Sequence, residues 1–481
     1  MGNSPLIPSI HVLDDDSLLN VFHLYRPFLF GEDGDDSTRM IGGKGRWARG
    51  HWWYKLAHVC QRWRKVILGS SSYLGISLVC ANGIPVAEML AHSPPLPLLI
   101  DYTDEDEDIT AEDEEGAVLA LKQYDRLRHV RLQIPVTNLQ NLIAAMDNEY
   151  PILEYLILGH LDEDRSAILV FPETLQAPHL RHLVLGGFGL PIGSRLLTTA
   201  VGLVTLLLYM IHPSTYFHLN TLLHWLSFMP QLETLTIFFF IPVPNRDVGR
   251  QLAHTPITTP VTLPNLQAFI FEGVGTYLEA LVHRIITPRL ERLQVTFFNQ
   301  LMFSLPRLLQ FVNASYGTEN LRLGSAKIGF SDEVVYIEVY PNQEAEMYSL
   351  GLAVNCWHLD WQVSSAAQIF NSLSPIFSAV EHLTLEYRVH SRSSKEHDAA
   401  GPTEWRKLLG PFRNAKTLRI AERLVEELSR CLKLEDGELP LKLLPELQEL
   451  TYPGSGNTDD AFTAFISARQ NAGRSVSLVR S

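Results

Sequence analysis

Few residues in this chain stand at spacings that do chemistry. His179 and His182 lie three apart, but among 18 scattered histidines such a pair is expected to be structural and not a metal site. Gly42-Gly43-Lys44-Gly45 lacks the Walker spacing that cradles phosphate, and Gly186-Gly187-Phe188-Gly189 lacks the later glycine of a dinucleotide loop. No Gly-x-Ser-x-Gly nucleophile elbow occurs. Cys60, Cys80, Cys356 and Cys431 are far apart, form no CxxC pair and sit in apolar stretches. They are expected to be reduced thiols, with neither a disulfide framework nor a structural zinc. No residue is therefore assigned a catalytic, cofactor or metal role, and the chain is not expected to be an enzyme. Its usable chemistry is recognition by apolar and strand residues.

Bulk properties narrow the partners. At 481 residues the chain exceeds one small core, so several domains or a repeat array are expected. Hydrophobic residues make up 46% and charged residues 19%, a globular composition. The net charge of -14 argues against nucleic acid or an anionic membrane as partner. Nine acids and no base fall between Asp104 and Glu115, and setting them aside leaves -5. That segment reads as a solvated linker. No secretory signal is visible, and Leu6 stands where a myristoylation motif wants Ser or Thr. The longest apolar stretch, Leu196 to Ile211, is interrupted by polar residues and short for a membrane span. A cytoplasmic or nuclear location is expected, and the sequon at Asn313 carries little weight there.

The elements that position the recognition residues follow from periodicity. A first helix is expected over residues 10–26, capped by Asp14 and stopped by Pro27. Residues 31–50 have a loop composition. A second helix is expected over 51–68, with Leu56, Val59, Cys60, Trp63, Val66 and Ile67 on one stripe. Residues 76–120 are assigned to a connector and 121–481 to a repeat array. The repeating unit is Pro-x-Leu-x-x-apolar-x-apolar, nearly complete at Pro151, Pro178, Pro230, Pro264, Pro288 and Pro445. Copies without the proline begin at Leu127, Leu203, Val380 and Ala415, and a weaker one centres on Leu321 and Leu323. The first seven units are spaced 26, 27, 23, 29, 34 and 24 residues apart, near the period of leucine-rich repeats.

Each unit has a simple physical basis. Two apolar residues one position apart point the same way from a strand, and the leucine three before plugs the turn. Amphipathic helices lie between strands, for example over 138–146, 216–228, 277–286, 366–377 and 404–409. One unit cannot bury its face alone, whereas stacked units share a continuous core with a parallel sheet on the concave side. The fold class is thus α/β, a helical module followed by an irregular solenoid with helices outside. Alternation exposes Tyr155, Ile157, His182, Val184, Thr234, Thr236, Ala268, Ile270, Arg292, Gln294, His382 and Thr384 on the opposite strand face, as candidates for holding a partner.

The first 75 residues carry the most specific motif. Ile10 to Phe22 resembles the opening helix of an F-box, and Leu56-Ala57-His58-Val59-Cys60-Gln61-Arg62-Trp63-Arg64 resembles its second half. The stretches Ser71 to Leu78, Pro85 to Leu90 and Ser93 to Leu98 resemble the sequel found in fungal, basidiomycete-type F-box proteins. Asp14 replaces the family's proline, and about twenty extra residues separate the halves. The resemblance covers about the first 102 residues by motif and the rest by architecture. It implies a module over 1–75 that docks the Skp adaptor of a cullin ubiquitin ligase through Leu13, Leu18, Leu19, Phe22, Leu56, Val59 and Trp63. The repeats would then hold a protein substrate, and no cofactor is implied. The alternative is a leucine-rich-repeat scaffold whose F-box is degenerate and does not dock.

Overall fold

The computed structural model describes residues 13–25, 52–103, 109–160, 169–191, 193–212, 216–240, 260–298, 300, 302–316, 323–388, 400–433, 441–453 and 461–480. The expected loop at 31–50, the helix residues before Leu13, and Leu321 lie outside these. The chain divides into two compact units, Met1–Val201 and Gly202–Ser481. Both are mixed α/β, with mostly parallel strands and intervening helices.

The first unit opens with α1 (Asp15–Tyr25), α2 (Trp52–Ala57), α3 (Gln61–Gly69) and α4 (Ser71–Leu74). Asp14 begins α1 by accepting a 2.7 Å hydrogen bond from the Ser17 amide, one of the donors a helix start leaves unmade. The helix expected over 51–68 is two helices. Cys60 is extended (φ -160°) and its Sγ accepts from the Trp63 amide, so a cap interrupts the stripe. Arg64 Nε donates to the Ala57 carbonyl at 3.1 Å and satisfies the end of α2.

Next come β1 (Leu78–Ala81), α5 (Val86–His92), β2 (Leu98–Thr103), α6 (Ala111–Leu121), β3 (Leu127–Gln133) and α7 (Val136–Ala144). They are followed by β4 (Tyr155–Gly159), β5 (His182–Gly186) and α8 (Arg195–Thr199). The strands β1 to β5 pair parallel in chain order. Parallel pairing therefore starts at Leu78, inside the stretch assigned as connector. The acidic run is also not all linker. Thr110 and Asp113 form a reciprocal capping box at the start of α6, and Asp113 Oδ1 accepts from the Gly83 amide at 2.7 Å. Burial pushes Asp113 up, but the hydrogen bonds from Thr110 and Gly83 outweigh it and hold the carboxyl below its usual range. Glu114 accepts from Asn138 and Asn141 on α7 at 2.7 and 2.9 Å. Residues 104–108 lie outside the described residues.

The second unit continues with β6 (Thr205–Ile211), α9 (Leu219–Leu226), β7 (Thr234–Phe239), β8 (Ala268–Gly273), α10 (Gly275–Val282), β9 (Arg292–Phe298) and α11 (Pro306–Tyr316). Then follow β10 (Ser325–Phe330), β11 (Val334–Tyr340), β12 (Leu350–Asn355), α12 (Leu359–Ser372), α13 (Ser374–Phe377) and β13 (His382–Tyr387). The chain ends with α14 (Pro402–Leu409), β14 (Thr417–Ile420), α15 (Val425–Leu432), β15 (Glu449–Tyr452), α16 (Thr463–Asn471) and β16 (Ser477–Arg480). Strand order is β6-β7-β8-β9-β12-β11-β10-β13-β14-β15-β16, parallel except at β11. An antiparallel meander, β10 to β12, thus interrupts the expected all-parallel order. The weak repeat expected at Leu321 and Leu323 is shifted. Buried Leu323 is the plug, and Ala326 and Ile328 are the inward strand pair.

The repeat logic holds the core in both units. The plug and both strand residues are 0% exposed at Leu153, Leu156 and Leu158, and again at Leu232, Leu235 and Ile237. Full burial of each such side chain contributes about 1.5–3 kcal/mol. The helices add Leu139 and Leu142 in the first unit and Leu222, Trp225 and Leu226 in the second. The stretch Leu196 to Ile211 divides between α8 and β6, and no helix among the described residues is long and apolar enough to cross a membrane.

The capping box makes a checkable statement. Asp113→Ala is expected to destabilise the first unit by about 1–2 kcal/mol in chemical denaturation, whereas Glu115→Ala, an exposed acid of the same run, stays within about 0.5 kcal/mol of wild type. Equal effects would return the whole run to a solvated linker.

Candidate functional site

Two sets of residues are candidates, the N-terminal helices and the strand face opposite the core. In the helices the interior is built first. Leu18 and Phe22, one turn apart on α1, are 0% and 1% exposed, and the Phe22 ring meets Trp63 of α3 edge-on at 4.9 Å. Arg62 locks the two helices from outside. Its Nη2 donates to the Leu13 carbonyl at 2.6 Å and pairs with Asp15 at 2.7 Å.

This packing divides the seven residues expected to dock. Leu18 and Phe22 belong to the module's own core. Leu19, Leu56 and Trp63 are half-buried, and Leu13 and Val59 are exposed. Sequence reasoning missed other exposed apolar residues, namely Val21, Leu24, Tyr25 and Tyr73, with Leu24 at 85% exposure. For Val21, Leu24 and Tyr25 the signal was present in α1, DDSLLNVFHLY, where apolar residues cover more than one stripe of a short helix. Val21, Leu24 and Tyr25 stand at i, i+3 and i+4, a second stripe beside Leu18 and Phe22.

On the strands, the register gathers the face residues into rows. In the first unit Tyr155 lies opposite His182, and Ile157 opposite Val184. In the second unit Thr234, Ala268 and Arg292 form one row and Thr236, Ile270 and Gln294 the next. His382 and Thr384 stand apart from these, beyond the meander, beside Ser325 and Lys327 on one side and Thr417 and Arg419 on the other. Val184, Thr236, Ala268 and Ile270 are buried, so these four are not the open positions that alternation assigned them. The other eight are half-buried.

The first unit's rows continue into residues that sequence reasoning did not single out. His129, Tyr155 and His182 form a ring ladder, with centroids 4.4 Å apart edge-on and then 4.3 Å apart stacked. Arg131 is buried in the next row, donates to Gln133 Oε1 at 2.8 Å, and lies 4.0 Å from Asp101. Glu154 flanks the ladder, 3.9 Å from His129 and 2.9 Å from Arg128. The His129 ring beside it, and then the Arg128 guanidinium, hold its carboxyl at about 2 against the effect of burial. Burial pushes His182 down to about 4 and lowers His129 as well, so both rings are neutral at pH 7. Applying the alternation rule to the copy at Leu127 gives His129 and Arg131. Applied at Ala415 and Pro445, it gives Thr417, Arg419, Glu449 and Thr451.

No protein-family model and no curated protein matches this chain. Among the described residues no cluster of three or more His, Cys, Asp or Glu has the makings of a metal site. Burial pushes the Cys80 and Cys356 thiols up to about 12, which keeps them protonated. The arrangement presents rings, hydroxyls and paired charges, which suit recognition of another molecule.

The ladder carries a pH signature. A histidine whose folded value lies below its unfolded 6.5 contributes stability that is present above 6.5 and lost as pH falls toward the folded value. Stability is therefore expected to fall between pH 6.5 and about 4, with His182 contributing on the order of 3 kcal/mol. Glu154 acts lower, between 4.5 and about 2. His182→Phe, which keeps a ring on Tyr155, is expected to lose part of the upper slope in urea melts taken across this range. A wild-type profile flat from pH 6.5 to 4 would contradict the assignment.

Proposed function

We propose that the chain is the substrate-recognition subunit of a Skp/cullin/F-box ubiquitin ligase. Its N-terminal helices dock the Skp adaptor, and a degenerate leucine-rich-repeat array holds a protein substrate. The observation that carries this is the second apolar stripe of α1. The inner stripe is already filled by Trp63 and its neighbours, yet Val21, Leu24 and Tyr25 remain exposed, as do Leu13 before α1, Val59 in the turn between α2 and α3, and Tyr73 on α4. Exposed apolar residues gathered on one small helical module mark an interaction surface. A helix laid against a partner needs such anchors at i, i+3 and i+4 and little else.

The resemblance of Ile10 to Phe22 and Leu56 to Arg64 to an F-box supplies the partner. Asp14, where the family has proline, does not prevent the helix from starting, because its side chain caps α1. The repeat array is read from the plug-and-pair burial that recurs from Leu153 to Tyr452. In this mechanism the chain contributes no bond chemistry. It holds the substrate near a catalytic centre elsewhere, and the gain in rate comes from proximity.

The test separates docking from folding. Leu24→Ala and Val59→Ala remove exposed anchors. Each is expected to leave the thermal melt unchanged and to weaken capture of a fungal Skp adaptor by up to about 30-fold, the equivalent of about 2 kcal/mol. Phe22→Ala removes core and is expected to cost about 3–5 kcal/mol of stability. A well-folded wild type that captures no adaptor would overturn the proposal in favour of a free-standing repeat scaffold.

A further inference from the structure

The meander creates a cleft that the simple repeat pattern lacks. Over the first four residues of β10, β13, β14 and β15 burial alternates, with Ala326, Ile328, Leu383, Leu385, Leu418, Ile420, Leu450 and Tyr452 buried on one side. On the other side the register aligns Lys327, Thr384, Arg419 and Thr451 in one row, and Ser325, His382, Thr417 and Glu449 in the next. Tyr340 at the end of β11, and the segment after it through Glu346, wall these rows into a cleft of about 700 Å³. That lies within the range of about 300–1,000 Å³ usual for ligand sites.

The cleft is built mainly for charge and hydrogen bonding, since Lys327, Arg419, Glu449 and the hydroxyls of Ser325, Thr384, Thr417 and Thr451 form its floor. Some of its groups are already committed. Lys327 pairs with Glu386 at 3.0 Å, and Glu386 also accepts from Tyr336 at 3.4 Å. Tyr336 reaches that carboxylate by lying across Gly329, where an added Cβ would meet the ring at 1.8 Å. His382 Nδ1 and Thr417 Oγ1 share a 2.9 Å hydrogen bond. Three charges, Arg419, Glu449 and Glu346, have no ion pair among the described residues. Arg419 is exposed and has no ion-pair or hydrogen-bond partner among the described residues. Glu449 takes one hydroxyl bond, from Thr451 at 3.2 Å, and no cation among the described residues lies within 4.0 Å of it.

We propose that this cleft binds an extended polypeptide segment that carries an acidic and a basic side chain close together. The segment's carboxylate pairs with Arg419 between the Thr384 and Thr451 hydroxyls, and its cation sits against Glu449 and Glu346. A guanidinium takes a carboxylate in a two-pronged contact, and flanking hydroxyls supply further donors. Four strands spaced about 4.8 Å apart span about 14 Å, the length of roughly four extended residues at about 3.3 Å each. An anion alone would face Glu449 and Glu346 unpaired, and an apolar ligand would bury the polar floor without partners. The inference rests on the strand face being where a protein substrate is held.

The probe is an array of acetylated, amidated peptides in an alanine background, carrying one Asp and one Lys at every pair of positions. Asp-only, Lys-only and all-alanine series accompany it, and the full chain is the binder. Peptides with both charges close together are expected to be retained best. Arg419→Gln is expected to remove about tenfold of the preference for Asp while keeping that for Lys, and Glu449→Gln the reverse. Both positions lie on the open face, so the thermal melts are expected to match wild type. Retention that ignores both substitutions, retention of the Asp-only series as strong as the mixed one, or no retention of any peptide would overturn the proposal. Adaptor docking is not involved in this readout, so failure here is distinct from failure of Leu24→Ala and Val59→Ala to weaken Skp capture.

Discussion

The burial of one face of each strand is the constraint on which the rest of this protein depends. A parallel strand reaches its neighbour only through a crossover of a dozen or more residues, which is usually a helix. The plug residue and the two inward strand residues close each repeat unit. In the described copies they are Leu or another apolar residue, nearly all with no exposed surface. Once they fix the inward face, the alternate residues are presented opposite in rows set by the register. Recognition chemistry therefore occupies the positions that the core does not use.

This division explains the character of both candidate surfaces. Where rows are continuous and parallel, as at His129, Tyr155 and His182, side chains stack on one another and lose charge by burial. Where β11 runs antiparallel, the segment beyond it rises beside the rows, and an open cleft with uncommitted charges results. The N-terminal helices follow a different rule. They are too short to build a core from one stripe each, so Leu18, Phe22 and Trp63 gather inward while Asp15 and Arg62 clamp the outside. The second stripe of α1 is left exposed.

Much of the fold was legible because period-two burial writes itself into sequence. The plug and pair positions at Leu153, Leu180, Leu232, Leu266, Leu290 and Leu447 are all buried as the pattern required. What escaped had local causes. The break at Cys60 is a cap by a weak sulfur acceptor, invisible to a helical stripe that runs straight through it. The β10 unit was displaced because Ala326 and Ile328 make a faint apolar pair beside the stronger-looking Leu321 and Leu323. Half of the acidic run became helix because Thr110 and Asp113 cap reciprocally, a short-range signal masked by the charge count. Burial of Thr236 and Ile270 depends on neighbouring strands, which alternation along one strand does not encode. The Arg419 cleft needed the antiparallel turn-back of β11, which no repeat period announces.

Amide hydrogen exchange of the full chain, with and without a fungal Skp adaptor, tests the central claim most directly. The account predicts new protection in α1 and across α3 and α4, with the strands from β1 to β16 unchanged. Protection on the strands alone, or none anywhere at adaptor concentrations that saturate a known F-box protein, would contradict it.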